Sequence, residues 1–132
     1  MTNEIYWLVL SILVTSLLWV PYIVNRLFEY GILVGLWDPE GITDTNVKWS
    51  RRLMAAHVNA VENLVIFAPL VILIHVLELN NAFTESASIL FFIARLLHVV
   101  LFTLKVPVLR IVAFLSGFAA QMMLVFTLLT VN

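Results

Sequence analysis

The sequence predicts an all-α integral membrane protein in which residues 1–132 form a single four-span domain, a four-helix bundle. Three observations carry this expectation. Of the 132 residues, 63% are hydrophobic and 11% are charged, whereas soluble domains average about 45–50% apolar and about 25% charged. Mean hydropathy is +1.07, and a chain this short exposes too large a share of its surface to hide that much apolar area from water. Four stretches reach the roughly 20 mostly apolar residues that a spanning helix needs, and the alternating segments of about 10 residues that mark a membrane β-barrel do not occur. The composition thereby excludes a soluble enzyme and a disordered chain. The net charge of −1 offers no basic field for a phosphate backbone, which excludes a nucleic-acid binder. Cysteine is absent, so disulfides, thiolate metal sites and a cysteine nucleophile are excluded as well.

The first span is expected from Ile5 to Phe28. It reads as a retained helix rather than a cleaved signal, because Glu4 stands where a positive segment belongs and no small-residue cleavage site precedes Pro21. The stretch Glu29–Trp49 holds Gly31, Gly35, Asp38, Pro39, Gly41, Asp44 and Asn46, which makes it the one long loop. The second span follows from Ser50 to Leu79, and Asn80–Glu85 is a short polar turn. The third runs from Ser86 to Leu104. Lys105–Pro107 is tighter still, and Pro107 suits the first turn of a fourth span ending at Thr130.

All seven basic residues (Arg26, Lys48, Arg51, Arg52, Arg95, Lys105, Arg110) lie on or near the first and third connections. The positive-inside rule then expects loops 29–49 and 105–107 in the cytoplasm and both termini outside. A chain with no recognisable targeting segment suits a bacterial inner membrane. Trp7, Trp19, Tyr22, Tyr30, Trp37 and Trp49 are expected as interfacial anchors among membrane lipids.

Polar residues inside spans are costly and mark function by default. Arg52, Ala56, Asn59 and Asn63 follow a 4-3-4 spacing, which is one helix face. Glu62 neighbours Asn59, and Arg95 or Arg52 is its expected ion-pair partner. Arg95, His98 and Phe102 share a face of the third span; Arg110 lies one turn into the fourth, and Arg26 ends the first. All are expected at one level near the cytoplasmic interface, while the outer halves read as almost wholly apolar. Arg26, Arg52, Arg95 and Arg110 outnumber Glu62, and surplus guanidinium at a membrane boundary calls for an anionic ligand or lipid head groups. His57 and His98 lie on different helices with no second carboxylate near in sequence, which argues against a metal site. Gly117 with Ala113 and Ala120 reads as close helix packing.

Two stretches carry a family resemblance. Arg52-Leu53-Met54-Ala55-Ala56-His57-Val58-Asn59-Ala60-Val61-Glu62-Asn63-Leu64-Val65-Ile66-Phe67 resembles the second-helix signature of the MAPEG family (membrane-associated proteins in eicosanoid and glutathione metabolism), with A-H-x-N-x-x-E-N as its core. Ala94-Arg95-Leu96-Leu97-His98 through Phe102, then Pro107-Val108-Leu109-Arg110 and Phe114-Leu115-Ser116-Gly117, resemble the third and fourth helices. The resemblance implies a homotrimer with glutathione held between subunits near the cytoplasmic face. It implies transferase, isomerase or peroxidase chemistry on lipophilic electrophiles. Carried over by position, Asn59, Glu62, Arg95 and His98 would hold glutathione, with Arg26 and Arg52 as looser assignments. Arg110 would be the catalytic residue that stabilises the thiolate, since a nearby cation lowers a thiol's pKa from about 8.5.

The chain departs from the family pattern where Ala55, Val58 and Ile111 replace polar residues and where Phe102 replaces a tyrosine. These departures favour the alternative, a non-catalytic accessory or assembly subunit of a membrane complex. Bland roles stay open beside the sharp ones. Asn59, Glu62 and Asn63 also suit an interhelical clamp, Arg95 with His98 a structural pair, and Arg110 a head-group contact. Arg26, Lys48 and Arg51 also read as solvated or lipid-facing.

Overall fold

A computed structural model describes residues 1–38, 40–41 and 44–130. The chain folds into helices α1 (Asn3–Leu17), α2 (Trp19–Tyr30), α3 (Ile32–Leu36), α4 (Lys48–Val76), α5 (Ala82–Thr103) and α6 (Pro107–Leu129). Four helical stretches are long and apolar enough to cross a membrane: Asn3–Tyr30, Lys48–Val76, Ala82–Thr103 and Pro107–Leu129. They correspond to the four expected spans. The end carrying the first and third connections is called the basic end below.

The first span is one path built from two helices. Pro21 has no N–H to give to the Leu17 carbonyl, and the Leu18 N–H bonds three residues back to Thr15 at 3.3 Å. The ladder therefore slips at Leu18 and resumes as α2. The expected long loop also contains α3, which the glycines at 31 and 35 concealed.

Helix α5 begins four residues before the expected Ser86 because Asn81 caps it. The Asn81 side chain accepts from the N–H groups of Phe83 and Thr84, and the Thr84 hydroxyl accepts from the Asn81 N–H at 2.9 Å. This reciprocal capping satisfies donors that the first helical turn leaves free. The same end holds a feature the apolar reading of the outer halves overlooked. Glu4 is buried and accepts the Thr84 hydroxyl at 2.5 Å, while the Asn3 amide donates to Glu85 at 2.8 Å. The start of α1 is thereby pinned to the start of α5.

Two clusters fill the interior. Leu8, Phe67, Val71, Ile74, Ala87, Phe91, Ala120 and Leu124 form the larger one, in which the Phe67 and Phe91 rings stack at 3.7 Å. Leu53, Ala56, Ala60 and Val99 form the second, towards the basic end. Ala113, Gly117 and Ala120 are buried along α6, so the small residues do form its packing seam. Most large side chains elsewhere face outward, as a lipid-facing surface requires.

Capping and the buried carboxylate are coupled through one hydroxyl. Thr84→Val is expected to lower stability by about 1–3 kcal/mol, the range for stranding a buried polar partner. Asn81→Ala is expected to cost about 1 kcal/mol, as a lost N-cap. Reversible unfolding in detergent micelles checks both; two variants indistinguishable from the parent contradict the assignment.

Candidate functional site

At the basic end, polar groups first brace the entry to α4. Glu29 accepts the Thr45 hydroxyl at 2.5 Å and the Asn46 N–H at 2.9 Å. Arg51 donates to the Thr45 carbonyl at 2.7 Å and approaches Asp44 at 3.6 Å. Arg26 forms an ion pair with Asp38 and lies over the Tyr30 ring at 5.7 Å. Arg26 is therefore compensated from within its own connection, contrary to its expected place in the uncompensated surplus.

The stripe on α4 faces inward as its spacing predicts: Ala56 and Asn63 are buried, and Arg52 and Asn59 are half-buried. Arg52 donates from Nε to the Thr103 carbonyl at 2.7 Å, one of the carbonyls that the end of α5 leaves free. Deeper in, Arg95 is only 7% exposed. Its Nη2 donates to the Phe114 carbonyl at 2.7 Å and its Nη1 to Asn59 Oδ1 at 3.3 Å. The guanidinium lies against the α-carbon of Gly117, where even a β-carbon has no room.

Aromatic faces supply the remaining surroundings. Arg95 lies over the Phe114 ring at 5.0 Å and the Phe91 ring at 5.9 Å. Buried His98 contacts the rings of Phe102 at 5.6 Å and Phe114 at 5.8 Å. Half-buried Arg110 lies over Phe102 at 4.9 Å. Arg110, Phe102, His98, Phe114, Arg95 and Phe91 thus form a continuous column in which cationic or imidazole groups alternate with benzyl rings. The arginine–ring contacts are of a kind individually worth about 0.5–1 kcal/mol when exposed and about 2 kcal/mol or more when desolvated.

The column corrects the expectation of a single level. At 1.5 Å per residue, Arg110 sits about 5 Å into α6, Arg95 about 12 Å from the end of α5 and Asn59 about 17 Å into α4. The chain of polar contacts continues deeper. Asn63 donates to the Asn59 carbonyl at 2.8 Å, and Gln121 donates to the Asn63 carbonyl at 3.1 Å. Gln121 escaped the sequence reading. A lone amide one turn after Gly117 in an otherwise apolar helix was the signal that pointed to it.

Glu62 departs most from expectation. Among the described residues it makes no ion pair, with Arg95, Arg52 or any other group, and its side chain is exposed. At 100° per residue it lies about 90° round α4 from the centre of the Arg52–Asn63 stripe. Its flank is an outward groove shared with Tyr22, His57, Val58 and Val61, in which the Tyr22 hydroxyl and His57 Nδ1 are 2.9 Å apart. The candidate residues therefore divide. Arg95, His98, Asn59 and Arg110 gather along the column, Arg52 closes its basic end, Glu62 faces away, and Arg26 is engaged in the first connection.

These features define a class: a four-span membrane bundle with a buried cationic column that runs inward from its basic end. The family model of the MAPEG family matches residues 5–130, and the chain belongs to that family. No curated protein and no solved structure matches it.

The fit of Arg95 against Gly117 has a measurable consequence. Gly117→Ala is expected to destabilise the protein by about 1–3 kcal/mol, as overpacking does. In an Arg95→Met background, where a flexible side chain yields, the same substitution is expected to cost clearly less. Equal costs in the two backgrounds, measured by unfolding in detergent, contradict the contact.

Proposed function

We propose that this protein is a membrane-bound glutathione-dependent transferase or peroxidase acting on lipophilic electrophiles. Glutathione is held between neighbouring copies of a homotrimer, near the basic end, which faces the cytoplasm of a bacterial inner membrane. One observation carries the reading: each protomer has unmatched charge of both signs. Among the described residues, Arg95 and Arg110 form no ion pair with a carboxylate, and Glu62 forms none with a cation. A bare carboxylate on an outward flank inside a span is costly, and packing against a second copy relieves that cost.

The donor set fits glutathione. Its two carboxylates match guanidinium groups, which bind carboxylates through paired N–H bonds, and its ammonium matches Glu62. When bound, glutathione supplies the nucleophilic sulfur. Arg110, half-buried and steadied by Phe102, is the cation for the thiolate. Arg95 holds Asn59 in place and contributes fixed positive charge, His98 fills the column between the two arginines, and Arg52 guards the mouth. Arg26, already engaged by Asp38, is the least available of the group. Lipid around the bundle delivers the apolar co-substrate.

A second reading has one observation in its favour. Arg110 is held by the ring of Phe102, which has no hydroxyl to offer a sulfur, and this suits an accessory subunit without catalysis. Recovery of stoichiometric partner chains from gently solubilised membranes supports that reading, whereas a clean homotrimer counts against it.

Titration calorimetry with glutathione on the detergent-solubilised protein, with thiolate absorbance followed in parallel, tests the first reading. The parent is expected to bind at up to millimolar glutathione. Arg110→Ala is expected to retain binding but to raise the pH at which the bound thiol becomes half thiolate by about one unit. Absence of binding by the intact oligomer rules the reading out.

A further inference from the structure

The apolar side chains that the protomer leaves most exposed include a group outside the bundle proper. Phe28 is 87% exposed, Leu33 83%, Leu36 76% and Trp37 86%. They belong to the end of α2, to α3 and to the residue that follows it. Gly31 ends α2 with φ 86° and ψ 157°, a conformation that residues bearing a β-carbon rarely adopt, and the chain reverses there. Helix α3 then runs back along α2. Gly35 packs so closely on Leu27 that a β-carbon at 35 collides with it, and Asp38 reaches Arg26. Contacts of 27 with 35 and of 26 with 38 define an antiparallel helical hairpin.

Depth follows from register. The Asn3–Glu85 hydrogen bond aligns the start of α1 with the start of α5. From Glu85 to Thr103 is about 27 Å of helix, and the same distance from Asn3 ends near Pro21 and Tyr22. That length matches the roughly 30 Å hydrocarbon core of a bilayer, with a few further ångströms of head groups on each side. Tyr30 then lies about 13 Å past the boundary, and the reversal at Gly31 brings Leu36 and Trp37 back to the level of Arg26, about 8 Å from it. Helices lying in an interface bury their apolar face about 5–10 Å into this layer.

We propose that the α2–α3 hairpin is an interfacial membrane anchor, with Phe28, Leu33, Leu36 and Trp37 turned back onto the head-group layer of the leaflet at the basic end. Its surface continues the lipid-facing surface of the spans, and exposed Tyr30 and Trp49 flank it, the residue types that favour this layer. Arg26, the one basic residue of the hairpin, is matched by Asp38, and Glu29 accepts from the Thr45 hydroxyl and the Asn46 N–H. The contact is therefore apolar and requires no anionic lipid.

The absence of cysteine makes a direct test available. Leu33→Cys, Leu36→Cys and Asp44→Cys, each labelled with a nitroxide, are reconstituted in phosphatidylcholine vesicles. At 33 and 36 the ratio of relaxation by oxygen to relaxation by a water-soluble nickel chelate is expected to exceed the ratio at 44 several-fold. Labels at 33 and 36 that behave like 44 show a hairpin in water, and labels shielded from both reagents show a protein partner; either result overturns the proposal. Trp37→Phe gives a check without labels. Acyl chains brominated near the head group are expected to quench a smaller share of tryptophan emission than in the parent, and an unchanged share overturns the anchor.

Discussion

A buried guanidinium organises this bundle. Arg95 sits well inside the membrane-spanning part of α5, where an uncompensated charge is costly, and no carboxylate pairs with it among the described residues. The fold instead surrounds it with dipoles and ring faces: the Phe114 carbonyl, the Asn59 amide oxygen and the rings of Phe114 and Phe91. Each partner comes from α4, α5 or α6, so burying this charge fixes the three helices against one another. Gly117 is part of the same solution, since the planar group lies where a side chain would project. Asn59, once held by Arg95, receives Asn63, which in turn receives Gln121.

The distribution of charge separates structure from function. Arg26 and Arg51 are matched by Asp38 and Asp44 in the connection that follows α2; the first pair ties the end of α3 back to α2, and the second lies at the entry to α4. Arg95 and Arg110 are matched only by aromatic faces and neutral acceptors, while Glu62 faces outward. A protomer with unpaired cations inside and an unpaired anion on its flank is electrostatically incomplete by itself. The chain belongs to the MAPEG family, and the function proposed above assigns the completing charges to a zwitterionic thiol tripeptide.

Features governed by long apolar runs were legible in the sequence. The four spans, the inward face through Arg52, Ala56, Asn59 and Asn63, and the small-residue seam of α6 all follow from length and helical period. Features decided by a single tertiary contact were not. Glu62 lies only three residues from Asn59, yet three residues advance a helix by 300°, and that remainder turns it away from Arg95. The pairing of Arg26 depends on a reversal at Gly31 that sequence spacing does not reveal. Glu4 reads as a stray terminal charge until the capping box at Asn81 and Thr84 brings a hydroxyl to it. The substitution of Phe102 for a hydroxyl-bearing residue was visible, but its role as the platform for Arg110 appears only in three dimensions.

The central proposal is that the unmatched positive charge of Arg52, Arg95 and Arg110 is completed by an anionic ligand whose carboxylates supply most of the binding. Thermal unfolding of the solubilised protein tests it most directly, with increasing glutathione beside a derivative in which both carboxylates are amidated. A ligand that binds only the folded state stabilises by mass action, about 2.7 kcal/mol at a hundredfold excess over its dissociation constant. The account predicts a rising melting temperature with glutathione and none with the diamide. Equal stabilisation by both, or by neither, contradicts it.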